Sequence, residues 1–237
     1  MIKRRFWVRS APSQWREGLS GPWIIRGLIG NYPGYMGQIS AFVSSLEGGH
    51  FPHRLEAHDE EELLVNLSGG LEWLTGERTY QLGPGAVVHV PPQDRHRIRA
   101  IGPEPAEFLV FKWTWQNLLG TRPDATTFIL EGHGFDRASD QTGIHRRRVC
   151  ENQPLANGGR LIVDAIRITP QTGYPLHAHE HDLMLVLLSG QMHGLGHITS
   201  APAVIYYPAG TMHGLQPVSA DPIEMIAFEF HRPPAGI

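Results

Sequence analysis

The sequence predicts an all-β protein in which one barrel-forming unit occurs twice. Three observations support this: short apolar runs recur along the chain, glycine and proline separate them, and sustained helical periodicity is scarce. The 237 residues include 27 glycines and 19 prolines. That length allows one large domain or two small ones, and an internal repeat favours two.

The strands of the first unit are predicted from runs of β-forming residues that end at turn residues. The expected runs are 63–67, 71–74, 79–82, 86–90 and 108–115. Gly76-Glu77-Arg78 and Gly83-Pro84-Gly85 lie between them as turns. Many short strands separated in this way are typical of a sandwich or barrel.

The second unit is found by comparing the chain with itself. Glu62–Gly69, ELLVNLSG, aligns with Leu183–Gly190, LMLVLLSG, at an offset of 121 residues, from 62 to 183. His96 and His213 close corresponding segments at an offset of 117. We therefore expect a first barrel over 1–115, a polar connector over 116–145 and a second barrel over 146–237.

Charge and composition exclude several classes of protein. A formal net charge of −3 argues against a nucleic acid as partner. The short basic cluster from His145 to Arg148 is interpreted as a solvated strand edge or linker, with a phosphate or carboxylate ligand as the alternative. The single cysteine, Cys150, excludes an internal disulfide and suits a reducing cytosol. No apolar run approaches the roughly 20 residues that span a bilayer, so we expect a cytoplasmic protein without a membrane partner.

Histidines are concentrated in the second unit. His177, His179 and His181 alternate along one run, and His213 follows the turn residues Pro208 and Gly210. Residues two apart in a β-strand share a face, so the first three imidazoles can point the same way. Two of these imidazoles could coordinate one metal ion, and a histidine from another strand would complete the site.

These residues resemble the two sequence motifs of the cupin superfamily. The first motif is a glycine, His-x-His, three or four residues, a glutamate, six residues and a glycine. The second is a glycine, five residues and then Pro-x-Gly-x-x-His. The positions that match in the second unit are His177, His179, Gly190, Pro208, Gly210 and His213.

The resemblance implies tandem jelly-roll β-barrels, a bicupin, with His177, His179 and His213 as ligands of a divalent transition metal. This sequence departs from the motifs at two positions: Leu183 replaces the usual glutamate, and Pro202 replaces the glycine that opens the second motif. A three-histidine site of this kind is similar to the sites of some cupin dioxygenases. His181 could be a fourth ligand or could support the other ligands.

The first unit resembles the same motifs in altered form. The corresponding set is Glu56, His58, Glu62 and His96. Two histidines and two glutamates would suit a hard divalent ion such as Mn²⁺, as a second metal site. Asp59, Glu60 and Glu61 flank the set, so the carboxylates could instead belong to an exposed acidic strand end. Gln93 stands where the family has glycine.

The first unit also resembles the sensor domain of AraC-type transcription regulators. The likeness rests on His58-Asp59, Glu62-Leu63, Leu67-Ser68-Gly69, Pro91-Pro92 and Arg95-His96. Residues 230–237 show no pair of helices of the kind that binds DNA in those regulators. We therefore do not expect a DNA-binding regulator.

The expected function is that of a metal-binding bicupin acting on a small oxygenated organic molecule. The resemblance leaves open a dioxygenase-like reaction and an isomerase or lyase reaction, with Fe, Ni, Zn or Mn as the metal. The alternative is a non-catalytic barrel that binds a sugar or an organic acid. Two barrels in one chain can cover each other's strand edges, so we expect a monomer or a homodimer.

Overall fold

A computed structural model describes residues 14–17, 22–34, 37–115, 127–130 and 143–233. Every regular element in these ranges is a β-strand, so the all-β prediction is confirmed. None of the described residues form a helix long and apolar enough to cross a membrane.

The first barrel is built from ten strands. They are β1 (Gln14–Glu17), β2 (Pro22–Gly34), β3 (Gly37–Leu46), β4 (Glu61–Ser68), β5 (Gly70–Thr75), β6 (Arg78–Leu82), β7 (Val87–Val90), β8 (His96–Ile101), β9 (Ala106–Trp113) and β10 (Phe128–Leu130). One sheet has the order β1-β2-β3-β9-β4-β7-β10, and the other has the order β6-β5-β8. The five strand runs expected from the sequence correspond to β4, β5, β6, β7 and β9.

The second barrel is built from nine strands. They are β11 (Ile144–Pro154), β12 (Arg160–Ile168), β13 (Tyr174–His177), β14 (Asp182–Ser189), β15 (Gln191–Gly194), β16 (His197–Ser200), β17 (Ala203–Tyr207), β18 (His213–Pro217) and β19 (Ile223–His231). Their two sheets have the orders β11-β12-β19-β14-β17 and β13-β18-β15-β16.

Contacts divide the described chain into two compact units. One contains the described residues up to 130 together with Pro154–Asn157, and the other contains 143–153 and 158–233. The short segment 154–157 is held in the first unit, where the Ala156 N–H donates to the Glu61 carboxylate over 3.2 Å. Most of the expected connector, 116–145, lies outside the described residues.

Strand register shows that the two barrels repeat one design. Glu62 of β4 pairs with Val90 of β7 on one side and with Lys112 of β9 on the other. The corresponding residue of β14, Leu183, pairs with Tyr207 and Glu229. Leu183 lies 121 positions after Glu62, and Tyr207 and Glu229 lie 117 positions after Val90 and Lys112. These are the offsets found in the sequence, so the predicted repeat is confirmed.

Alternation along the strands decides which side chains face the interior of the second barrel. Leu183, Leu185 and Leu187 of β14 belong to one core cluster with Ile205 of β17 and Met225 of β19. Because strand side chains alternate between faces, Glu229 and Tyr207 are on the same face as this cluster. The interior face therefore carries a glutamate that no motif marks.

Each barrel has a motif glycine that no other residue could replace without strain. Gly69 and Gly190 end the aligned segments with φ angles of +71° and +81°. A Cβ at Gly69 would lie 2.5 Å from the Pro105 carbonyl oxygen, and one at Gly190 would lie 2.9 Å from Ile223 Cγ2. The chain must turn left-handed here against a neighbouring strand, which only glycine does at low cost.

Candidate metal centre

Three imidazoles meet at one end of the second barrel. His177 is the last residue of β13, His213 is the first of β18, and the two are paired across these strands. His179 follows in the connection to β14. One ring nitrogen from each of the three lies within 4.8 Å of the others, which is the distance range expected of ligands around one ion.

Backbone carbonyls fix which nitrogen of two rings carries the proton. His177 Nδ1–H donates to the Pro175 carbonyl over 2.7 Å, and His213 Nδ1–H donates to the Thr211 carbonyl over 2.8 Å. A carbonyl only accepts, so the proton must be on Nδ1 and the lone pair of the neutral ring on Nε2. Metal-bound histidines are oriented in the same way by their second nitrogen.

The Nε2 atoms converge. Those of His177 and His179 are 3.0 Å apart, and His213 Nε2 is buried with no hydrogen-bond partner among the described residues. A buried polar atom without a partner costs about 1–3 kcal/mol, which a bound cation would offset. The three residues therefore fit a divalent metal, and neutral nitrogen donors are what transition ions prefer.

Burial keeps His213 in the neutral form that a metal needs. Burial is the main cause that lowers the pKa of His213 to about 4; the Thr211 carbonyl opposes it, and the neighbouring His177 and His179 act in the same direction as burial. Burial also lowers the pKa of His179, with His177 acting in the same direction. At neutral pH these rings keep their lone pairs, so protons compete little with a metal.

The turn before His213 is anchored by a buried aspartate. Asp182 accepts hydrogen bonds from the Tyr206 hydroxyl and the Ala209 N–H, both over 2.7 Å. The Gly210 N–H donates to the His179 carbonyl over 2.8 Å. These bonds tie the turn of the second motif to the segment that carries His179, and so they set the separation of His179 and His213.

An aromatic ring packs on the third histidine in each barrel, but it comes from a different strand. In the second barrel Tyr207 of β17 stacks on His213 with ring centres 4.3 Å apart. In the first barrel Trp73 of β5 stacks on His96 at 4.8 Å. The first barrel has Val90 at the position of Tyr207, and the second barrel has Gly194 at the position of Trp73. In each barrel, therefore, only one of these two positions carries an aromatic side chain.

A pocket adjoins the three imidazoles, and its volume is about 460 Å³ when the solvent-filled opening is included. Much of its wall is apolar, including Ile166, Ile168, Leu183, Leu185, Met225 and Ala227. Arg146 and Glu229 supply charge within the same wall. The arrangement combines a set of potential metal ligands with a largely apolar pocket wall and the Arg146–Glu229 ion pair, as is typical of small-molecule sites.

Arg146 and Glu229 complete the site; Glu229 is marked by no motif, whereas Arg146 belongs to the basic cluster for which the sequence leaves a phosphate or carboxylate ligand open. Arg146 Nη2 donates to Glu229 Oε1 over 2.8 Å, and its Nε donates to buried Asp164 over 2.8 Å. Arg148 Nε also donates to Asp164, over 2.6 Å. The basic cluster is thus partly a strand edge with internal ion pairs. A carboxylate at 229 could have been suspected only from register, because Leu183 leaves an acidic position of the motif vacant and Glu229 lies directly across from it.

Burial raises the pKa of Glu229, but the hydrogen bond from His231 and the charges of His181 and Arg146 outweigh it and lower the pKa below its usual range. His181 points to this carboxylate, with its Nε2 3.6 Å from Glu229 Oε2. Its ring groups with Glu229 and His231 as a set of potential ligands, so a role as fourth ligand of the three-histidine site stays a prediction.

The first barrel brings together Glu56, His58 and His96, whose potential ligand atoms lie within 4.8 Å of one another. Glu62 is not part of that set. It accepts a hydrogen bond from His58 Nε2 over 3.0 Å and pairs with the Lys112 ammonium at 3.1 Å. The Lys112 ammonium, whose charge acts on His58, would repel a cation held by this set, so the set is less suited to a metal than the one in the second barrel.

The charges around Glu62 are consistent with that ion pair. Burial raises its pKa, but the His58 hydrogen bond, Lys112 and His96 lower it to about 2. Burial lowers the pKa of His58, but its bond to Glu62 raises the pKa above the usual value. The carboxylate and the imidazole therefore stabilise each other without a metal.

Gln93 adopts the backbone conformation of the glycine that it replaces. Its φ angle is +67°, against +76° at Gly210. Its N–H donates to the His58 carbonyl over 2.8 Å, as the Gly210 N–H does to the His179 carbonyl. The turn is therefore conserved in geometry between the two barrels, at a cost of about 1–2 kcal/mol for a non-glycine residue.

Comparison with known proteins supports the same fold. Residues 42–112 match the family model described as a cupin domain. No curated protein sequence matches the chain. Many solved structures are similar, three of which are described next, and at their low identities they show the fold alone.

The first is a protein from Pseudomonas aeruginosa described as glyoxylate-induced: 13% identical, TM-score 0.70, covering 94% of this chain and 84% of that one. The second is an oxalate decarboxylase from Lactobacillus farciminis in complex with formate: 11% identical, TM-score 0.69, covering 98% and 87%. The third is the E. coli protein Ylba: 14% identical, TM-score 0.66, covering 98% and 90%. The resemblance of the first unit to AraC-type sensor domains stays a prediction. The paired registers, the motif turns and these likenesses together show two jelly-roll β-barrels of the cupin fold in tandem, and the match to the cupin domain covers residues 42–112 of the first barrel.

Proposed function

We propose that the protein is a metal-dependent enzyme whose second barrel holds one divalent transition metal on His177, His179 and His213. Its substrate would be a small oxygenated organic anion bound in the adjoining pocket. The observation that supports this most directly is the convergence of three ring nitrogens beside an open, largely apolar pocket, with the Nδ1 atoms of His177 and His213 held by backbone carbonyls.

The donor set suits Fe, Ni or Zn, which imidazole binds well, and Mn less well. Three neutral donors leave the double charge of the ion uncompensated, so the bound ion would supply strong Lewis acidity toward a carboxylate, enolate or hydroxy-acid oxygen. Fe and O₂ would suit a dioxygenase-like reaction, and a redox-inert ion would suit an isomerase or lyase reaction.

The other pocket residues favour an acid as substrate. Arg146 offers a guanidinium within the wall, 39% exposed, and its charge is shared between Asp164 and Glu229. The apolar side chains exclude water around the remainder of a small molecule. Glu229 is held ionised by its neighbours, which makes it a fixed negative charge rather than a strong base.

One fold relative also supports an acid substrate. The oxalate decarboxylase from Lactobacillus farciminis acts on a small dicarboxylate and was crystallised with formate. A non-catalytic binding barrel is the second candidate, and the apolar character of much of the pocket wall favours it. Apolar walls suit an organic acid with a hydrocarbon part better than a sugar, because a sugar needs many hydrogen-bond partners.

The test uses cobalt(II), whose visible spectrum reports ligand exchange. Metal-free protein is loaded with Co²⁺ and mixed in turn with small 2-oxo acids, hydroxy acids, β-diketones and catechols. We expect at least one class to change the spectrum and then to be turned over by Fe²⁺-, Ni²⁺- or Zn²⁺-loaded protein. His213→Ala should abolish the change, whereas His193→Ala, an exposed histidine of β15, should retain it. A spectral change without turnover would favour the binding barrel, and Co²⁺ binding that His213→Ala leaves intact would refute the proposed site.

A further inference from the structure

A second set of metal-binding side chains lies beside the three-histidine site and shares none of its residues. It consists of His181, Glu229 and His231. Glu229 and His231 are two apart on β19 and so share a face. His181 immediately precedes β14, whose first residue, Asp182, pairs with Phe230. This register brings His181 beside His231, with ring centres 4.1 Å apart.

The donor atoms face one another. Glu229 Oε2 is 3.1 Å from His231 Nε2 and 3.6 Å from His181 Nε2. All three donors lie within 4.8 Å of one another. His181 Nε2 is buried and makes no hydrogen bond with any described residue. An ion pair between His231 and Glu229 would leave that nitrogen unsatisfied, whereas a cation would satisfy all three donors.

Arg146 orients the carboxylate for this role. It occupies Glu229 Oε1 over 2.8 Å, which leaves Oε2 to the two imidazoles. The arginine is itself held by Asp164, which is fully buried. A ligating carboxylate is commonly supported by a hydrogen bond to its other oxygen, and such support keeps the donor ionised and in place.

We propose that His181, Glu229 and His231 form a second site for a divalent transition metal in the second barrel. Two imidazoles and one carboxylate are the donor set of non-haem iron sites, and Mn²⁺, Co²⁺ and Zn²⁺ also bind such sets. The site is independent of the proposed function, because the two sites have no ligand in common. Since Glu229 lines the same pocket as the three histidines, an ion here would add a second positive charge beside a bound acid.

The test counts ions by equilibrium dialysis of the full chain against Co²⁺, followed by elemental mass spectrometry. The variants are His231→Ala, His177→Ala with His179→Ala, and all three substitutions together, with His193→Ala as the matched control. We expect His231→Ala to lose one ion relative to the wild type, the double variant to lose one, and the triple variant to lose two. The comparison is between variants, so ions bound elsewhere cancel.

Circular dichroism and thermal unfolding establish that each variant is folded, and Glu229→Gln provides a second test that preserves side-chain shape. Glu229→Gln should also lose one ion. If His231→Ala and Glu229→Gln both retain the wild-type number of ions, the second site is refuted while the three-histidine site stands. If the double variant loses none and His231→Ala loses one, the proposed function fails and the second site stands. Loss of the same single ion in both would show one shared site and refute this proposal.

Discussion

Asp182 is predicted to control metal binding although it is not a ligand. The residue is 2% exposed, and its carboxylate accepts two hydrogen bonds of 2.7 Å, from the Tyr206 hydroxyl and the Ala209 N–H. Hydrogen bonds to a charged group contribute about 1.5–3 kcal/mol each, so Asp182→Ala should lower the free energy of unfolding by about 3–6 kcal/mol. Because the Ala209 bond holds the turn that leads to His213, metal affinity should also fall, by about 10–100-fold.

Tyr206→Phe is the matched control. It removes one of the two bonds and leaves the Ala209 bond intact, so stability should fall by about 1–3 kcal/mol while affinity for Co²⁺ changes little. Urea unfolding measures the first quantity and competition against a chelating dye measures the second. If Asp182→Ala is destabilised yet binds Co²⁺ as tightly as the wild type, the turn does not position His213 and the reasoning is wrong.

Three further predictions concern stability. Gly190→Ala should destabilise by about 2–3 kcal/mol, from left-handed backbone and contact with Ile223, whereas Gly196→Ala, at φ +84° with no atom within 4 Å of its Cβ, should cost only about 1–2 kcal/mol in urea unfolding. Glu62 has a folded pKa of about 2, below the value of 4.5 for the free side chain, so its contribution is present above pH 4.5 and is lost as the pH falls toward 2. The stability difference between the wild type and Glu62→Gln should therefore shrink by about 2 kcal/mol between pH 6 and pH 3; a constant difference would contradict the stabilisation of the carboxylate by His58 and Lys112. Adding a metal at about 100 times its Kd should stabilise the wild type by about 2.7 kcal/mol in thermal unfolding, and the gain attributable to the three-histidine site should be absent after His177→Ala with His179→Ala.

The repeated barrel could be predicted from the sequence because its signals are local. Segment 62–69 and segment 183–190 carry the same alternation and end in the same glycine, and a strand followed by a left-handed turn needs little else to specify it. The turn of the second motif could also be predicted in the second barrel, from Gly210. In the first barrel Gln93 replaces that glycine, and the structure shows that the glutamine adopts the same positive φ.

The site was only partly predictable, because its remaining members are set by register between distant strands. Glu229 is 46 positions beyond Leu183 and becomes its neighbour only when β14 and β19 pair. Lys112 reaches Glu62 in the same way in the first barrel. Spacing within a single segment carries no information about such pairs, so the histidines were predictable from the sequence whereas the positions of Glu229 and Lys112 were not.

Packing explains why the two barrels differ at their centres. Trp73 fills the interior of the first barrel and covers His96, where the second barrel has Gly194. The strand that supplies the aromatic ring against the third histidine, β5 in the first barrel and β17 in the second, depends on cross-strand pairing. The sequence alone does not indicate this difference. The expectation of a monomer or a homodimer stays a prediction.

The most direct test of the account is the metal content of the protein purified without a histidine tag or chelators, measured by elemental mass spectrometry. The wild type, His177→Ala with His179→Ala, and His58→Ala with His96→Ala are compared at equal concentration. We predict bound transition metal in the wild type, a loss of about one ion per chain in the first variant, and no loss in the second. Loss in the second variant alone would move the metal to the first barrel, and absence of metal from every preparation, before and after reconstitution, would contradict a metalloenzyme.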